Sequence, residues 1–299
     1  MSAIERAEIL AELDPPFTVL TPVEQKAPFV FCSPHSGRVY PRQFLAQSRL
    51  DAVSLRRSED CFVDELFCHV ARLGAPMIAA RFPRAFLDVN REPYELDPEL
   101  IAGRLPDFAN TQSVRVAGGL GTIARLVADG EEIYRERLPL AAALARVETL
   151  YVPFHARLAE LIELTRRRFG YAVLIDCHSM PSSSAGTTAG SRPDFVLGDR
   201  FGASCNDKVT LFTRAALGRL GYDVHLNRPY AGGHITQHYG RPARGVHALQ
   251  IEINRGLYMD ERAFTPTASF DDLQRDLEQL SARLFFELPS LLAQRAAAE

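Results

Sequence analysis

The sequence lacks three features that would each assign it to a special class of protein. Its five cysteines are odd in number and form no CxxC pair, so neither a disulfide scaffold nor a zinc finger is expected. No apolar run reaches the length of about 18 residues that a membrane-spanning helix requires. The net charge is only -3, so no basic field is available to attract nucleic acid.

Lysine is also scarce: the sequence has only Lys26 and Lys208, and every other residue in its Lys+Arg count is an arginine. Genomic composition bias is one explanation of this preference for arginine. The other is that some arginines bind carboxylates through paired N–H···O bonds. Residues 1–16 are charged and contain no secretory apolar segment, so we expect a cytoplasmic protein. With 46% hydrophobic and 24% charged residues, the composition is typical of a globular protein with a sizeable core.

Short apolar runs alternate with long amphipathic stretches, a pattern typical of an α/β fold. Strands are predicted over 28–31, 76–80, 85–89, 171–175, 194–198, 222–226 and 247–253. Helices are predicted over 58–73 with Ser58 as N-cap, about 129–168 with a break near Pro153, about 203–219, and about 270–297 with a kink or break at Pro289. We expect one catalytic α/β domain over 1–299, with its motifs within about 28–260 and a mixed, largely parallel sheet flanked by helices.

Polar side chains follow several of these strands. His35 comes after the first strand, Asp176 and His178 come after 171–175, and Glu252 lies in the last strand. Ligands bind at the carboxyl ends of strands in open α/β sheets, so these residues could meet there. Two neutral imidazoles and one carboxylate are the ligands of a catalytic Zn²⁺, and a further carboxylate can accept a proton from water. A single histidine after a strand is more often an ordinary structural residue, so a metal-dependent hydrolase is a hypothesis at this point.

Two further segments carry clustered polar residues. Arg84, Asn90 and Arg91 lie within 81–98, where an Arg–Asn pair would suit a substrate carboxylate and a structural salt bridge from Asp88 to Arg91 is the alternative. Residues 227–241 include Arg228, two adjacent glycines and two histidines, and this segment is predicted to be a loop that shapes a substrate site. The Ser/Thr/Gly-rich stretch 182–192 is predicted to be a flexible loop, which could cover a site.

Five motifs in order give a more specific indication. SPHSGRVYP, LDVNREPYELDP, DCHSMP, NRPYAGGHITQHYG and HALQIEINRGLYMDE together resemble the N-formylglutamate amidohydrolase family over roughly residues 28–260. That family is similar to the zinc carboxypeptidase-like hydrolases, which implies a fold of that kind. The resemblance implies His35 and His178 as metal ligands, Glu252 as the catalytic base, and Asn90 with Arg91 for a substrate carboxylate.

The acidic metal ligand is the point where the sequence departs from the carboxypeptidase pattern. In carboxypeptidases an acid stands three residues after the first histidine, whereas Arg38 occupies that position here and cannot bind a cation. The family resemblance points instead to the acid that opens the following helix, so Asp60 is the predicted ligand and Glu59 the alternative. Compensation of the helix dipole is a structural explanation for both acids.

The resemblance also implies an activity. It is the hydrolysis of N-formyl-L-glutamate to L-glutamate and formate, with Zn²⁺ or another divalent metal, as the last step of a histidine degradation route. The substrate is a small dianion, so Arg84 or Arg228 would supply a second cation. Two alternatives stay open: a related zinc amidohydrolase for other N-acyl amino acids or small peptides, and a non-catalytic binder of acidic metabolites. No nucleic-acid or membrane partner is expected, and both a monomer and a homo-oligomer are compatible with the sequence.

Overall fold

The structure is a computed structural model that describes residues 3–127, 130–183 and 192–293. It forms two compact units, each made of three stretches of chain. The first unit comprises Met1–Thr18, Pro34–Glu59 and Ala79–Leu158, and the second comprises Val19–Ser33, Asp60–Ile78 and Ala159–Glu299. The single catalytic domain expected from the sequence stays a prediction. Most of the predicted flexible loop over 182–192 lies outside the described residues.

The described residues contain eleven strands and eleven α-helices. The strands are β1 Phe17–Leu20, β2 Phe29–Ser33, β3 Met77–Ala80, β4 Ile101–Ala102, β5 Leu138–Pro139, β6 Ala172–Met180, β7 Phe195–Gly198, β8 Val224–Leu226, β9 Val246–Asn254, β10 Met259–Asp260 and β11 Thr265–Pro266. The helices are α1 Ala3–Leu13, α2 Arg42–Gln47, α3 Ala52–Arg56, α4 Val63–Leu66, α5 Val70–Leu73, α6 Val114–Ala117, α7 Leu140–Arg146, α8 Val152–Phe169, α9 Asp207–Arg219, α10 His234–Tyr239 and α11 Phe270–Ala293. None of the described helices combines the length and the hydropathy of a membrane-spanning helix.

A seven-stranded sheet has the strand order β1-β3-β2-β6-β9-β7-β8. Strands β2, β6 and β9 are parallel neighbours, β7 runs antiparallel to β9, and β8 runs parallel to β7. The predicted mixed, largely parallel sheet is therefore confirmed. Strands β2, β6 and β7 are buried at every position, which explains the apolar sequence of β2, of β7 and of residues 172–175 in β6.

Helix α11 packs on the core of the second unit through one leucine stripe. The side chains of Leu273, Leu277, Leu280, Leu284 and Leu288 follow helical spacing and are at most 2% exposed. Each buried leucine contributes roughly 1.5–3 kcal/mol, so together they outweigh the cost of about 3 kcal/mol for a proline inside a helix. The helix accordingly continues through Pro289. Of the two predicted alternatives the break is therefore wrong, and the kink stays a prediction.

The predicted strand over 85–89 is wrong, although all five of its side chains are buried. The carbonyl of Pro83 accepts hydrogen bonds from the backbone N–H groups of Phe86 and Leu87, so the chain turns there instead of extending. The backbone N–H of Asp88 then donates to the carbonyl of Thr122. A short apolar run indicates burial but does not distinguish a strand from other buried chain.

The predicted helix over 58–73 is also wrong in its continuity. It is split into α4 and α5, and Phe62, with φ of 63°, takes a left-handed conformation before α4 begins. Ser58 donates to the carbonyl of Leu55 instead of capping this segment. Val63, Leu66, Phe67 and Val70 are nevertheless fully buried, and Phe62 is partly buried against the same core.

The other predicted helices differ mainly at their ends. The long one begins at Leu140 and continues to Phe169, with a π-helical segment at Val147–Tyr151 just before Pro153. Because proline lacks an N–H group, this local rewinding replaces the predicted break. Helix α9 begins at Asp207, where the side chain of Asn206 caps it. Helix α10 lies within 227–241, so the prediction that this segment is entirely a loop is wrong.

Candidate active site

Four polar side chains lie side by side on two buried parallel strands. Strands β6 and β9 pair over nine residues, with Asp176 opposite Gln250 and His178 opposite Glu252. Side chains alternate between the two faces of a strand, so Asp176 and His178 share one face of β6 and Gln250 and Glu252 share one face of β9. The pairing thus brings a histidine, an amide and two carboxylates together within the second unit.

Carboxylates face both ring nitrogens of His178. Its Nδ1 lies 3.0 Å from Oδ2 of Asp60, and its Nε2 lies 3.0 Å from Oδ1 of Asp176. Burial by itself lowers the pKa of His178, but the charge of Asp176 and the hydrogen bonds to both aspartates raise it well above its ordinary value. A carboxylate on the distal nitrogen of a metal-binding histidine orients the ring, and Asp176 is placed to do this.

The two oxygens of Asp60 have different partners. While Oδ2 faces His178, Oδ1 accepts a hydrogen bond of 3.1 Å from Nη2 of Arg255. Arg255 is buried, and its Nε donates to the hydroxyl of Ser179 at 3.1 Å. Arg255 was missed in the sequence, although it follows the predicted strand 247–253 by two residues, much as His178 follows the predicted strand 171–175 by three.

In the first unit, Asp88 forms the centre of a second hydrogen-bonded group. Its Oδ1 lies 2.7 Å from Nε2 of His35 and accepts from the backbone N–H of Asn90 at 2.8 Å, while its Oδ2 accepts from Arg84 at 2.8 Å. Burial alone would raise the pKa of Asp88, but Arg91, His35 and Arg84 hold it well below its usual range. Asp88 therefore holds His35 as Asp176 holds His178, a role that sequence reasoning missed.

Arg91 directs its donors mainly to the protein itself. Its Nε donates to the carbonyl of Leu120 and its Nη1 to the carbonyl of Asn90, both at 2.9 Å, and its Nη2 lies 3.6 Å from Oδ2 of Asp88. The structural salt bridge considered for this segment is therefore present. Arg84 is about one quarter exposed, and Arg228 is exposed in the second unit. A role of Asn90, Arg91, Arg84 and Arg228 in substrate binding stays a prediction.

Glu59, the alternative acidic ligand, is engaged in a separate group of the first unit. Its carboxylate accepts a hydrogen bond of 2.6 Å from the hydroxyl of Tyr40 and forms a 3.1 Å ion pair with Nε of Arg56. Asp60, its neighbour in sequence, instead faces His178. These contacts favour Asp60 over Glu59 as a metal ligand.

One buried group of side chains has the composition of a metal site. His35, Asp60 and His178 each offer one ligand atom, and these atoms all lie within 4.8 Å of one another. Two imidazole nitrogens and one carboxylate oxygen are a donor set that suits Zn²⁺ and other borderline divalent ions. The group could therefore hold a metal ion.

Comparison with known proteins shows similarity to one enzyme family over most of the chain. The profile of the N-formylglutamate amidohydrolase family matches residues 27–259, a range that contains every predicted site residue. N-formylglutamate deformylase of Pseudomonas aeruginosa is 32% identical over 272 residues, which are 90% of this chain and 94% of the relative. The enzyme of the same name from Pseudomonas putida is 30% identical over 246 residues, 81% of this chain and 86% of the relative. The crystal structure of N-formylglutamate amidohydrolase from Ralstonia eutropha is 36% identical, covers 90% of this chain and 96% of its own, and superposes with a TM-score of 0.85.

Proposed function

The chain belongs to the N-formylglutamate amidohydrolase family and is a hydrolase, and from this premise we propose that it cleaves N-formyl-L-glutamate to L-glutamate and formate. The observation that carries this proposal is the buried group of His35, Asp60 and His178, whose ligand atoms lie within 4.8 Å of one another. Glu252, the register partner of His178 on β9, adds the carboxylate that a proton transfer requires. The two Pseudomonas relatives named N-formylglutamate deformylase support the same substrate.

His35, Asp60 and His178 would hold Zn²⁺ or another divalent ion. Because Nε2 of each histidine faces an aspartate, each would bind the metal through Nδ1. Carboxylates in these positions orient the rings and increase the basicity of the ligating nitrogens. When bound, a divalent ion supplies Lewis acidity, which polarises a carbonyl oxygen and acidifies water.

Glu252 is the proposed general base and general acid. As water attacks the formyl carbon, the carboxylate of Glu252 accepts a proton from that water. The C–N bond of the formamide then breaks, and Glu252 returns the proton to the departing amine of glutamate. Burial of Glu252, which is 6% exposed, restricts the carboxylate to few orientations and limits competing contacts with solvent.

The substrate carries two carboxylates, whereas the protein has a net charge of -3. Local arginines, and not the overall field, must therefore attract it. Asn90 and Arg91 are proposed for one carboxylate, and Arg84 or Arg228 for the other. The exposure of Arg84 and Arg228 supports a role in ligand binding, while Arg91 directs two donors to backbone carbonyls. We place the reaction in the cytoplasm, at the end of a histidine degradation route.

The test is formate release by purified protein, first treated with a chelator and then supplied with Zn²⁺. Activity should disappear on chelation and return with the metal, and N-formyl-L-glutamate should have the highest kcat/KM. N-acetyl-L-glutamate, N-formyl-L-aspartate and short peptides are the comparison substrates. A preference for any of these would favour a related amidohydrolase, and tight substrate binding without turnover in zinc-loaded protein would favour a non-catalytic binder.

A further inference from the structure

We propose that Gln250 is a positioning residue that fixes the carboxylate of Glu252 for proton transfer, an inference that rests on the proposed role of Glu252. The observation is a chain of two hydrogen bonds. The backbone N–H of Gly233 donates to Oε1 of Gln250, and Nε2 of Gln250 donates to Oε1 of Glu252, each at 2.8 Å.

The orientation of the Gln250 amide follows from its partners. A backbone N–H can only donate, so the atom that faces Gly233 must be the carbonyl oxygen of the amide. The NH₂ group then points toward Glu252, whose carboxylate can only accept while it is ionised. If the amide oxygen and nitrogen were exchanged, the NH₂ group would face the N–H of Gly233 and the amide oxygen would face the carboxylate of Glu252. Neither hydrogen bond could then form, so this network permits one orientation.

The anchor of this chain is backbone. Gly233 immediately precedes helix α10, and its N–H belongs to the main chain and cannot turn away as a side chain could. Gln250 therefore connects the catalytic carboxylate to the segment that begins α10. Because Gln250 and Glu252 lie two residues apart on β9, their side chains leave the same face of the strand and their ends can meet.

Burial makes this connection consequential. Gln250 is 4% exposed and Glu252 is 6% exposed, so water has little access to replace a lost hydrogen bond. With Oε1 of Glu252 held by Gln250, the plane of the carboxylate is set and Oε2 is the oxygen that we assign to proton transfer. A general base acts only within hydrogen-bond reach of its proton, so a small rotation of this carboxylate slows the reaction.

Substitutions at position 250 separate the hydrogen bonds from the volume of the side chain. Gln250→Met keeps a similar volume and loses both hydrogen bonds. Gln250→Glu keeps the shape and an acceptor for Gly233, but it replaces the donor to Glu252 by a second carboxylate oxygen. The matched control is Gln274→Met, because Gln274 also donates to a partner in the second unit, the carbonyl of Glu65.

The experiment measures kcat, KM, bound zinc and melting temperature for each variant of the zinc-loaded enzyme. Gln250→Met should lower kcat about 10- to 100-fold, the range expected when a hydrogen bond to a charged group is lost. KM and zinc content should stay close to wild type, and Gln274→Met should leave kcat unchanged. The melting temperature of Gln250→Met should fall by only a few degrees, because Gly233 and Glu252 each lose one buried hydrogen bond. If Gln250→Met does not fold, Gln250→Glu carries the test. Its kcat should fall in the same way, and its melting temperature should fall as well, because two carboxylates then lie side by side in a buried site.

A double-mutant comparison tests whether Gln250 acts through Glu252. Gln250→Met combined with Glu252→Gln should be no slower than Glu252→Gln alone, because the carboxylate to be positioned is already absent. The proposal would be overturned by any of three outcomes: additive losses of kcat in the double variant, an unchanged kcat in Gln250→Met, or a loss of zinc in parallel with kcat. An inactive Glu252→Gln with normal Gln250→Met would refute only the positioning role. Near wild-type turnover in Glu252→Gln would remove the assigned base itself, and with it the role of Gln250.

Discussion

His69 should make the stability of the protein depend on pH below neutrality. Its Nε2 lies 3.0 Å from the hydroxyl oxygen of Ser281, and that hydroxyl donates to the carbonyl of Leu277. The hydroxyl therefore accepts from Nε2–H, which identifies the tautomer of the neutral ring. Burial lowers the pKa of His69 from 6.5 to about 4, and the nearby charge of Glu278 offsets only part of this effect.

The sign and the size of the effect follow from proton linkage. Above pH 6.5 neither the folded nor the unfolded chain protonates His69, so its full contribution to stability is present there. Between pH 6.5 and about 4 the unfolded chain binds a proton that the folded chain does not, so the free energy of unfolding decreases as the pH is lowered. At about 1.4 kcal/mol per pH unit, the loss over this interval amounts to roughly 3 kcal/mol.

Urea unfolding of metal-free wild type and His69→Gln, measured between pH 7.5 and 4, provides the assay. Glutamine can still donate to Ser281 but does not titrate. Between pH 7.5 and 4, the free energy of unfolding should therefore decrease less in His69→Gln than in wild type, and the two decreases should differ by roughly 3 kcal/mol. Ser281→Ala is the matched control, because it removes the hydrogen bond and keeps the titrating ring, and it should retain the steep pH dependence. Parallel curves for wild type and His69→Gln would refute the reasoning.

The remaining predictions concern the proposed site and the buried arginine of the first unit. Asp60→Asn should lose bound zinc while Glu59→Gln keeps it, as measured by metal analysis after dialysis, and the reverse outcome would exchange their roles. Asp176→Asn should weaken zinc binding about 10- to 100-fold in a chelator competition, since the orienting carboxylate on His178 is lost, and an unchanged affinity would contradict this role. Glu252→Gln should lower kcat by about 10²- to 10⁴-fold with zinc retained. Arg146→Ala should lower the free energy of unfolding, measured in urea, by about 3 kcal/mol or more. The reason is that the guanidinium fills the core and donates to the hydroxyl of Tyr134 at 2.7 Å. A loss below about 1 kcal/mol would contradict this estimate.

Much of the second unit could be predicted from local patterns. The apolar runs that became β2 and the first part of β6 indicated strands covered on both faces. The alternation of side chains along β9 already places Gln250 and Glu252 on one face. The resemblance to the N-formylglutamate amidohydrolase family also came from residues printed in the sequence. These features depend on neighbours a few positions apart, so the linear order of residues contains them.

Other features required the folded chain. Adjacent acids at 59 and 60 are equivalent in any local pattern, and only packing directs one to Arg56 and the other to His178, which lies 118 positions away in sequence. The segment 85–89 also could not be predicted from a local pattern. Its apolar residues indicated that it is buried, but they did not indicate the turn that brings Asp88 to His35.

Local patterns are enough to identify the residue types available for metal binding and proton transfer, and the strands and motifs in which they lie. The fold is needed to show which nitrogen of each histidine meets an aspartate, which acid faces His178, and that Gln250 donates to Glu252. Backbone propensity and side-chain periodicity act over a few residues, whereas hydrogen bonds between distant side chains depend on strand register and on close packing.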